Sequence, residues 1–335
     1  MRRTLRPLAL LCGALLLAGC GGTNTPATTG ATEAGSANSA GYPVTVASCG
    51  EQITFEHAPE RVIMLTAVGA SAMGDLGVLD KVIGRAGALD ASIYPKEVAA
   101  QLDAIPVLDA GSSASGGAVL STETVLEQRS DLVIGYDAGV DRKSLKDAGV
   151  PLYVPPSYCA DFDEKHASFD LVHDETARLA SIFGVAKKGE ESNAALKKRI
   201  EDLPKASISG QSAAAYYVTL GVDQVTTYGA PSMVQPIFEV VGLENVYASH
   251  PERKLRIGME AVLDKNPDWI VLLHQDGTAE QVREFFTKQK GVGDLKAVTE
   301  GHVVVMPFPY TDPPSPLSVE GVTFLNGELA KAGAK

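Results

Sequence analysis

"IGMEAVLDKNPDWIVLLH", residues 257–274, repeats a pattern the chain has already written as "LSTETVLEQRSDLVIGY", residues 120–136. In each, a Glu (Glu123, Glu260) is followed two residues later by Val-Leu and eight residues later by an Asp that opens a short apolar run. This reads as a helix leading into a strand, the unit from which parallel sheets are built. The copies lie 137 residues apart, one in each half of the chain.

Apolar runs around both copies extend the reading. Val62 to Leu65, Leu132 to Gly135 and Leu152 to Val154 are strand candidates in the first half, and Ala215 to Leu220, Ile270 to Leu273 and Val303 to Met306 in the second. Between the two sets, residues 168–204 are charged and helically periodic, with Leu171, Ala177, Leu179 and Ile182 on one apolar face and Leu196 and Ile200 on another. The expected fold is α/β: two Rossmann-like lobes with parallel sheets, residues 43–167 and 205–335, joined by a long helical connector, 168–204. A ligand cleft would lie between the lobes.

The chain of 335 residues, 45% of them apolar, can bury a full core without staples. Its net charge is -12, and beyond the first nineteen residues 26 basic side chains face 41 acidic ones, with no basic stripe for nucleic acid. Residues 1–19 carry Arg2, Arg3 and Arg6, then an apolar run from Leu8 to Leu17, the layout of a secretory signal peptide. The run is too short to span a membrane as a helix.

Leu17-Ala18-Gly19-Cys20 resembles the bacterial lipobox, which implies a lipid on Cys20. Residues 20–42 then read as a flexible linker, since their polar, small composition cannot bury enough surface to fold; its reach is roughly 25 Å. Cys12 leaves with the signal, so Cys49 and Cys159 remain as a pair for an oxidising compartment. Linked, they would close a loop worth about 4 to 5 kcal/mol in the chain-entropy account.

A Glu in the first turn of each repeated helix is favoured by the helix dipole by a few tenths of a kcal/mol. That accounts for an acid near this place, but not for the same acid at the same spacing in both lobes. The two E-x-V-L-x-x-x-x-D segments, the lipobox, the linker and "PERVIML" at residues 59–65 together resemble cluster A substrate-binding lipoproteins of ABC importers, the group serving iron-siderophore, haem and cobalamin uptake. The resemblance covers about residues 43–330. It implies two lobes bridged by a rigid helical connector, and it implies that Glu123 and Glu260 meet Arg residues on the two permease subunits. The protein is expected to be an extracytoplasmic monomer, held at the outer face of the cytoplasmic membrane by the lipid on Cys20.

In open α/β folds the ligand sits beyond the carboxyl ends of the strands. That places Thr66 and Ser71, in the small-residue loop after the first strand, and Tyr136, His274 and Tyr310, after later strands, at the cleft. The resemblance adds Tyr94 and Tyr228. It also brings the basic loop of "PERKLRIGME" to the cleft, where Arg253, Lys254 and Arg256 would receive an anionic ligand. The expected cargo is a siderophore complex carrying Fe(III), with no intrinsic cofactor.

Haem is the alternative ligand, held by Tyr136 or Tyr94 with His274; cobalamin is another. Trp269, the sole Trp, reads as core, which departs from relatives that line the cleft with Trp. A metal-dependent enzyme is a further class. No nucleophile elbow, phosphate loop, dinucleotide fingerprint or zinc-protease motif supports catalysis, and the six His are scattered without metal-ligand spacing.

Overall fold

The computed structural model describes residues 41–332 apart from positions 88, 109, 113–117, 137–138, 204–207 and 209. The predicted signal peptide, Cys20 and nearly all of the predicted linker lie outside the described residues. Tyr42, the linker's expected last residue, belongs to the fold instead: its hydroxyl donates to the Ile182 carbonyl at 2.7 Å and its ring packs on the first lobe. An aromatic ring can bury apolar area that the Gly, Ser and Thr before it cannot.

The chain opens with a hairpin not expected from the sequence, β1 (Val44–Ser48) against β2 (Glu51–Phe55). Alternation buries Val46, Ile53 and Phe55 against the first-lobe core, and Cys49 and Gly50 turn the chain at φ values of 49° and 77°. Two positive-φ residues match the right-handed twist of the flanking strands.

The first lobe runs β3 (Val62–Met64), α1 (Ala70–Leu76), β4 (Val82–Ala86), α2 (Lys96–Ala104), β5 (Val107–Leu108), a short ladder of β6 (Gly111–Ser112) and β7 (Ala118–Val119), α3 (Thr122–Glu127), β8 (Leu132–Ile134), α4 (Arg142–Asp147) and β9 (Leu152–Tyr153). Its main sheet has the order β5-β4-β3-β8-β9, parallel throughout. The central strands are buried on both faces, which is why they read as unbroken apolar runs.

Two helices follow, α5 (Asp170–Ile182) and α6 (Ala186–Glu201). They form an antiparallel hairpin: Asn193 donates to the His173 carbonyl at 2.9 Å, and Gly189 lies against Ala180. Each helix touches both cores. In α5, Val172 packs with the second lobe and Leu179 and Ile182 with the first; in α6, Leu196 packs with the second. The connector is thus two bridges side by side rather than one rod. The chain also reaches the second lobe earlier than expected, since Ala167 is in that lobe's core and its N–H bonds the Ala230 carbonyl at 2.8 Å.

The second lobe comprises β10 (Gln211–Tyr217), β11 (Val225–Tyr228), α7 (Val234–Val241), β12 (Leu243–Asn245), β13 (Lys254–Ile257), α8 (Met259–Lys265), β14 (Trp269–His274), α9 (Ala279–Thr287), α10 (Lys296–Thr299), β15 (Val303–Pro307) and α11 (Leu317–Lys331). Its sheet order is β13-β11-β10-β14-β15, with β12 also on β10. The sheet is parallel, as expected, at β12-β10-β14-β15, and mixed at its other edge, where β11 is antiparallel to β10 and β13. Residues 218–224 are too few for a crossover and close a tight turn through Gly221 at φ 83°.

The repeated Asp has the same work in both lobes. Asp131 accepts the N–H groups of Glu60 and Arg61 at 2.8 and 2.9 Å, just ahead of β3. Asp268 accepts the Ser212 N–H and hydroxyl at 2.8 and 2.7 Å, in β10. Each Asp therefore clamps the start of its own strand to the central strand beside it.

Gly189 shows how closely the bridging helices approach. A Cβ there would lie 2.5 Å from the Ala180 Cβ, so the helix backbones themselves must separate to admit it. Gly189→Val is expected to lower the urea midpoint by the equivalent of about 1 to 3 kcal/mol, the usual cost of overpacking. An unchanged midpoint would show that the hairpin does not need this contact.

Candidate ligand-binding site

The first sheet reverses its strand order between β3 and β8, so a crevice opens at their carboxyl ends. Thr66 leaves β3 there, and Gly135 and Tyr136 leave β8. Gly135 has φ 135°, and a Cβ on it would sit 2.9 Å from the Thr66 Oγ1. Only glycine lets the two exits pass. The Thr66 Oγ1 is buried with no hydrogen-bond partner among the described residues.

Tyr136 is 47% exposed, and its ring tilts against Tyr158 at 5.8 Å. Tyr158 is fixed by its neighbour Cys159, whose disulfide to Cys49 (S–S 2.08 Å) spans 110 positions and ties this segment to the β1-β2 turn. From the second lobe, the Arg253 guanidinium stands 5.8 Å from the Tyr158 ring centre, a cation–π contact across the boundary between lobes. Arg253 donates to Asp312 Oδ2 at 2.6 Å.

Tyr228 closes the group. Burial, then the charge of Asp312, holds the phenols of Tyr158 and Tyr228 well above their ordinary range, with Arg253 opposing. Both stay protonated and able to donate. Burial works against the charged Arg253, but Asp312 more than offsets it and its pKa is raised. Tyr217 stacks edge-on with Phe308 at 4.9 Å on the same face of the second sheet as Tyr228. Each lobe thus supplies one phenol, Tyr158 or Tyr228, beside an internally neutralised ion pair, and Tyr136 packs on Tyr158.

The other expected site residues are placed differently. The basic triplet does not converge. Strand alternation puts Lys254 and Arg256, both exposed, on one face of edge strand β13, while Arg253 turns inward to Asp312. Three cations for an anionic ligand are therefore not assembled.

Tyr94 is buried in the first-lobe core, where burial and then Asp90 push its phenol up to about 12. His274 follows Ile270 and Leu272 along β14, so alternation sends it to the sheet face opposite Tyr217 and Tyr228. Its Nδ1 is buried without a hydrogen-bond partner among the described residues. The Tyr–His pair expected for haem is not brought together by Tyr94 and His274.

Tyr310 packs against both lobe cores and stacks on Phe324 at 5.7 Å. Ser71, whose hydroxyl also has no partner among the described residues, lines a small cavity of about 30 Å³ between α1 and α11. Asp75, Arg199 and Glu320 share that cavity, with Arg199 donating to Glu320 at 2.7 Å. Burial raises the Asp75 carboxyl above its ordinary value, and Arg199 opposes the shift.

Sequence reasoning missed Tyr158 and Asp312. Asp312 lies in the loop that leaves β15, "PFPYTDPPSP" at residues 307–316, of which only Tyr310 is expected at the cleft from sequence. Its partner Arg253 is 59 positions away. Glu123 and Glu260 are both exposed in the first turns of α3 and α8. The Ser121 hydroxyl caps α3 by accepting the Thr124 N–H at 3.1 Å, whereas Gly258 gives α8 no side-chain cap. Among the described residues there is no group of three or more His, Cys, Asp or Glu placed to hold a metal, and no helix long and apolar enough to cross a membrane.

Comparison with known proteins agrees with this architecture. The chain is 34% identical to a crystal structure described as an ABC-type Fe3+-hydroxamate transport system from Saccharomonospora viridis, over 88% of this chain and 100% of that one, with a TM-score of 0.79. A periplasmic haem-binding protein from Roseiflexus sp., in apo form, shares the fold at 20% identity and a TM-score of 0.62, over 82% of this chain and 99% of that one. The vitamin B12-binding protein of Vibrio parahaemolyticus is 22% identical over 278 residues, 81% of this chain and 90% of that protein. The family described as periplasmic binding protein matches residues 75–310. The chain belongs to that periplasmic binding protein family, whose members are substrate-binding transport proteins and not enzymes.

Proposed function

We propose that the protein captures a ferric hydroxamate siderophore between its lobes and delivers it to an ABC permease. Glu123 and Glu260 serve as the two permease contacts, and a lipid on Cys20 holds the protein at the outer face of the cytoplasmic membrane. The observation that carries the ligand class is the seam itself: Tyr158, with Tyr136 packed on it, and Tyr228 lie beside an Arg253 whose charge Asp312 already neutralises.

Three hydroxamate anions cancel the ferric charge, and their oxygens accept hydrogen bonds from phenols. Three catecholate dianions leave a trianion, which such a seam offers no spare cation to receive. The likeness to the Fe3+-hydroxamate system, along its whole length, supports the same choice. The bridging helices α5 and α6 favour modest closure, because packed helices resist hinge motion more than loop crossovers do.

Calorimetric titration of the purified protein with a ferric trihydroxamate, a ferric tricatecholate, haem and cobalamin tests the reading. Saturation by the trihydroxamate at sub-micromolar concentration, with the others weaker by tenfold or more, is expected. Saturation by haem or cobalamin alone would refute the ligand class and leave the transport role standing. Trp269 is a poor reporter for this purpose, being buried at the start of β14 and stacked on His302 at 4.1 Å, at the strand end opposite His274.

A further inference from the structure

Asp312 is 5% exposed, and only one of its oxygens is used. Oδ2 accepts from Arg253, while Oδ1 is buried with no donor among the described residues. A buried carboxylate oxygen without a donor is costly, and such atoms in native proteins mark a missing water, ion or ligand. The Arg253 contact is single rather than forked, so half of the carboxylate's acceptor capacity remains open.

The surroundings have one sign. The phenols about the ion pair feel acidic neighbours: Asp312 beside Tyr158 and Tyr228, and Asp276 beside Tyr217. The cation that answers them, Arg253, is already paired with Asp312. Lys254 and Arg256 lie on the other face of β13. The whole chain is acidic as well, which favours the approach of a cation.

We propose that Asp312 sets the specificity of the seam for a ferric trihydroxamate that carries a pendant ammonium group, its Oδ1 accepting a hydrogen bond from that ammonium. This rests on the hydroxamate reading above and narrows it from neutral chelates to cationic ones. Tyr158 and Arg253 meet across the lobes next to Asp312, and a ligand reaches the buried Oδ1 only when side chains there move aside. The ammonium then supplies the donor that the protein withholds. A charge-assisted bond of this kind is stronger than one between neutral groups.

The test compares two chelates with the same iron centre, ferrioxamine B, which bears a terminal ammonium, and its N-acetylated form, in which that group is a neutral amide. The natural protein is expected to bind the ammonium form at least tenfold more tightly by calorimetry. In Asp312→Asn the preference should shrink to within about twofold. That variant leaves Arg253 without a counter-charge, so Asp312→Asn combined with Arg253→Met, which removes both charges together, carries the same comparison. Its fold is checked by thermal unfolding.

Equal affinity of the natural protein for both chelates overturns the proposal and leaves hydroxamate capture intact. A preference that persists in the folded double variant overturns it too. Failure of both chelates to bind the natural protein overturns both readings.

Discussion

Replacing Glu123 and Glu260 together by Lys is expected to abolish uptake while leaving ligand affinity within about twofold. Both carboxylates are exposed, one in the first turn of α3 and the other in the first turn of α8. Among the described residues, neither bonds a residue of the seam, so the ligand has no route to sense the change. Local cost is small: a Lys opposing the helix dipole loses a few tenths of a kcal/mol. Like charges set against each other at an interface cost several kcal/mol, so two reversals against permease Arg residues predict a fall in transport on the order of a thousandfold.

Radiolabelled iron uptake in cells carrying the double variant, beside calorimetry on the purified protein, separates the two effects. Single reversals should each give an intermediate loss, since the acids occupy the same place in the repeated unit and each lobe makes one contact. Uptake equal to that of the natural protein would remove Glu123 and Glu260 from the interface. Equal losses of uptake and affinity would instead place them at the ligand.

The architecture was legible wherever a local pattern had to serve a local need. Apolar runs marked β3, β8, β14 and β15 because central strands of a sheet covered on both sides admit little else. The helix–strand repeat located the corresponding units of the two lobes, although its acid drew attention away from Asp131 and Asp268, which hold the strands in register. The hairpin of β1 and β2 was missed with its signal in plain sight: "VTVAS" and "EQITF" alternate around Cys-Gly. The central strand β10 was set too late because the Ala run in "SAAAYY" has low strand propensity, yet that run pairs with β12 and β14.

The site was less legible because its chemistry depends on pairings that spacing does not encode. Arg253 was recognised as a cation, but its pairing with Asp312, 59 positions away, has no signal in the spacing. Lys254 and Arg256 were grouped with it by proximity in sequence, while a strand of period two separates immediate neighbours onto opposite faces. The same rule removes His274 from the face of Tyr228. Tyr158 had no signal beyond its position before a disulfide cysteine, and that position turns out to matter.

Removal of the disulfide should therefore have two consequences. The bridge closes a loop of 110 positions, which in the chain-entropy account confines the unfolded chain by about 4 to 5 kcal/mol. Cys49→Ser with Cys159→Ser is expected to lower unfolding stability by that order in urea titrations, and a reductant should shift the natural protein toward the variant. Cys159 also anchors the segment that presents Tyr158 to Arg253 and to the ring of Tyr136. Freed from the hairpin turn, Tyr158 has more positions to lose on binding, and each ordered side chain costs roughly 0.5 to 1.5 kcal/mol. Ligand affinity should thus fall by about threefold to tenfold at temperatures where the variant is still folded. A variant that loses stability but binds as tightly as the natural protein would show that the bridge acts on the unfolded chain alone, and that packing against Arg253 is enough to hold Tyr158 in place.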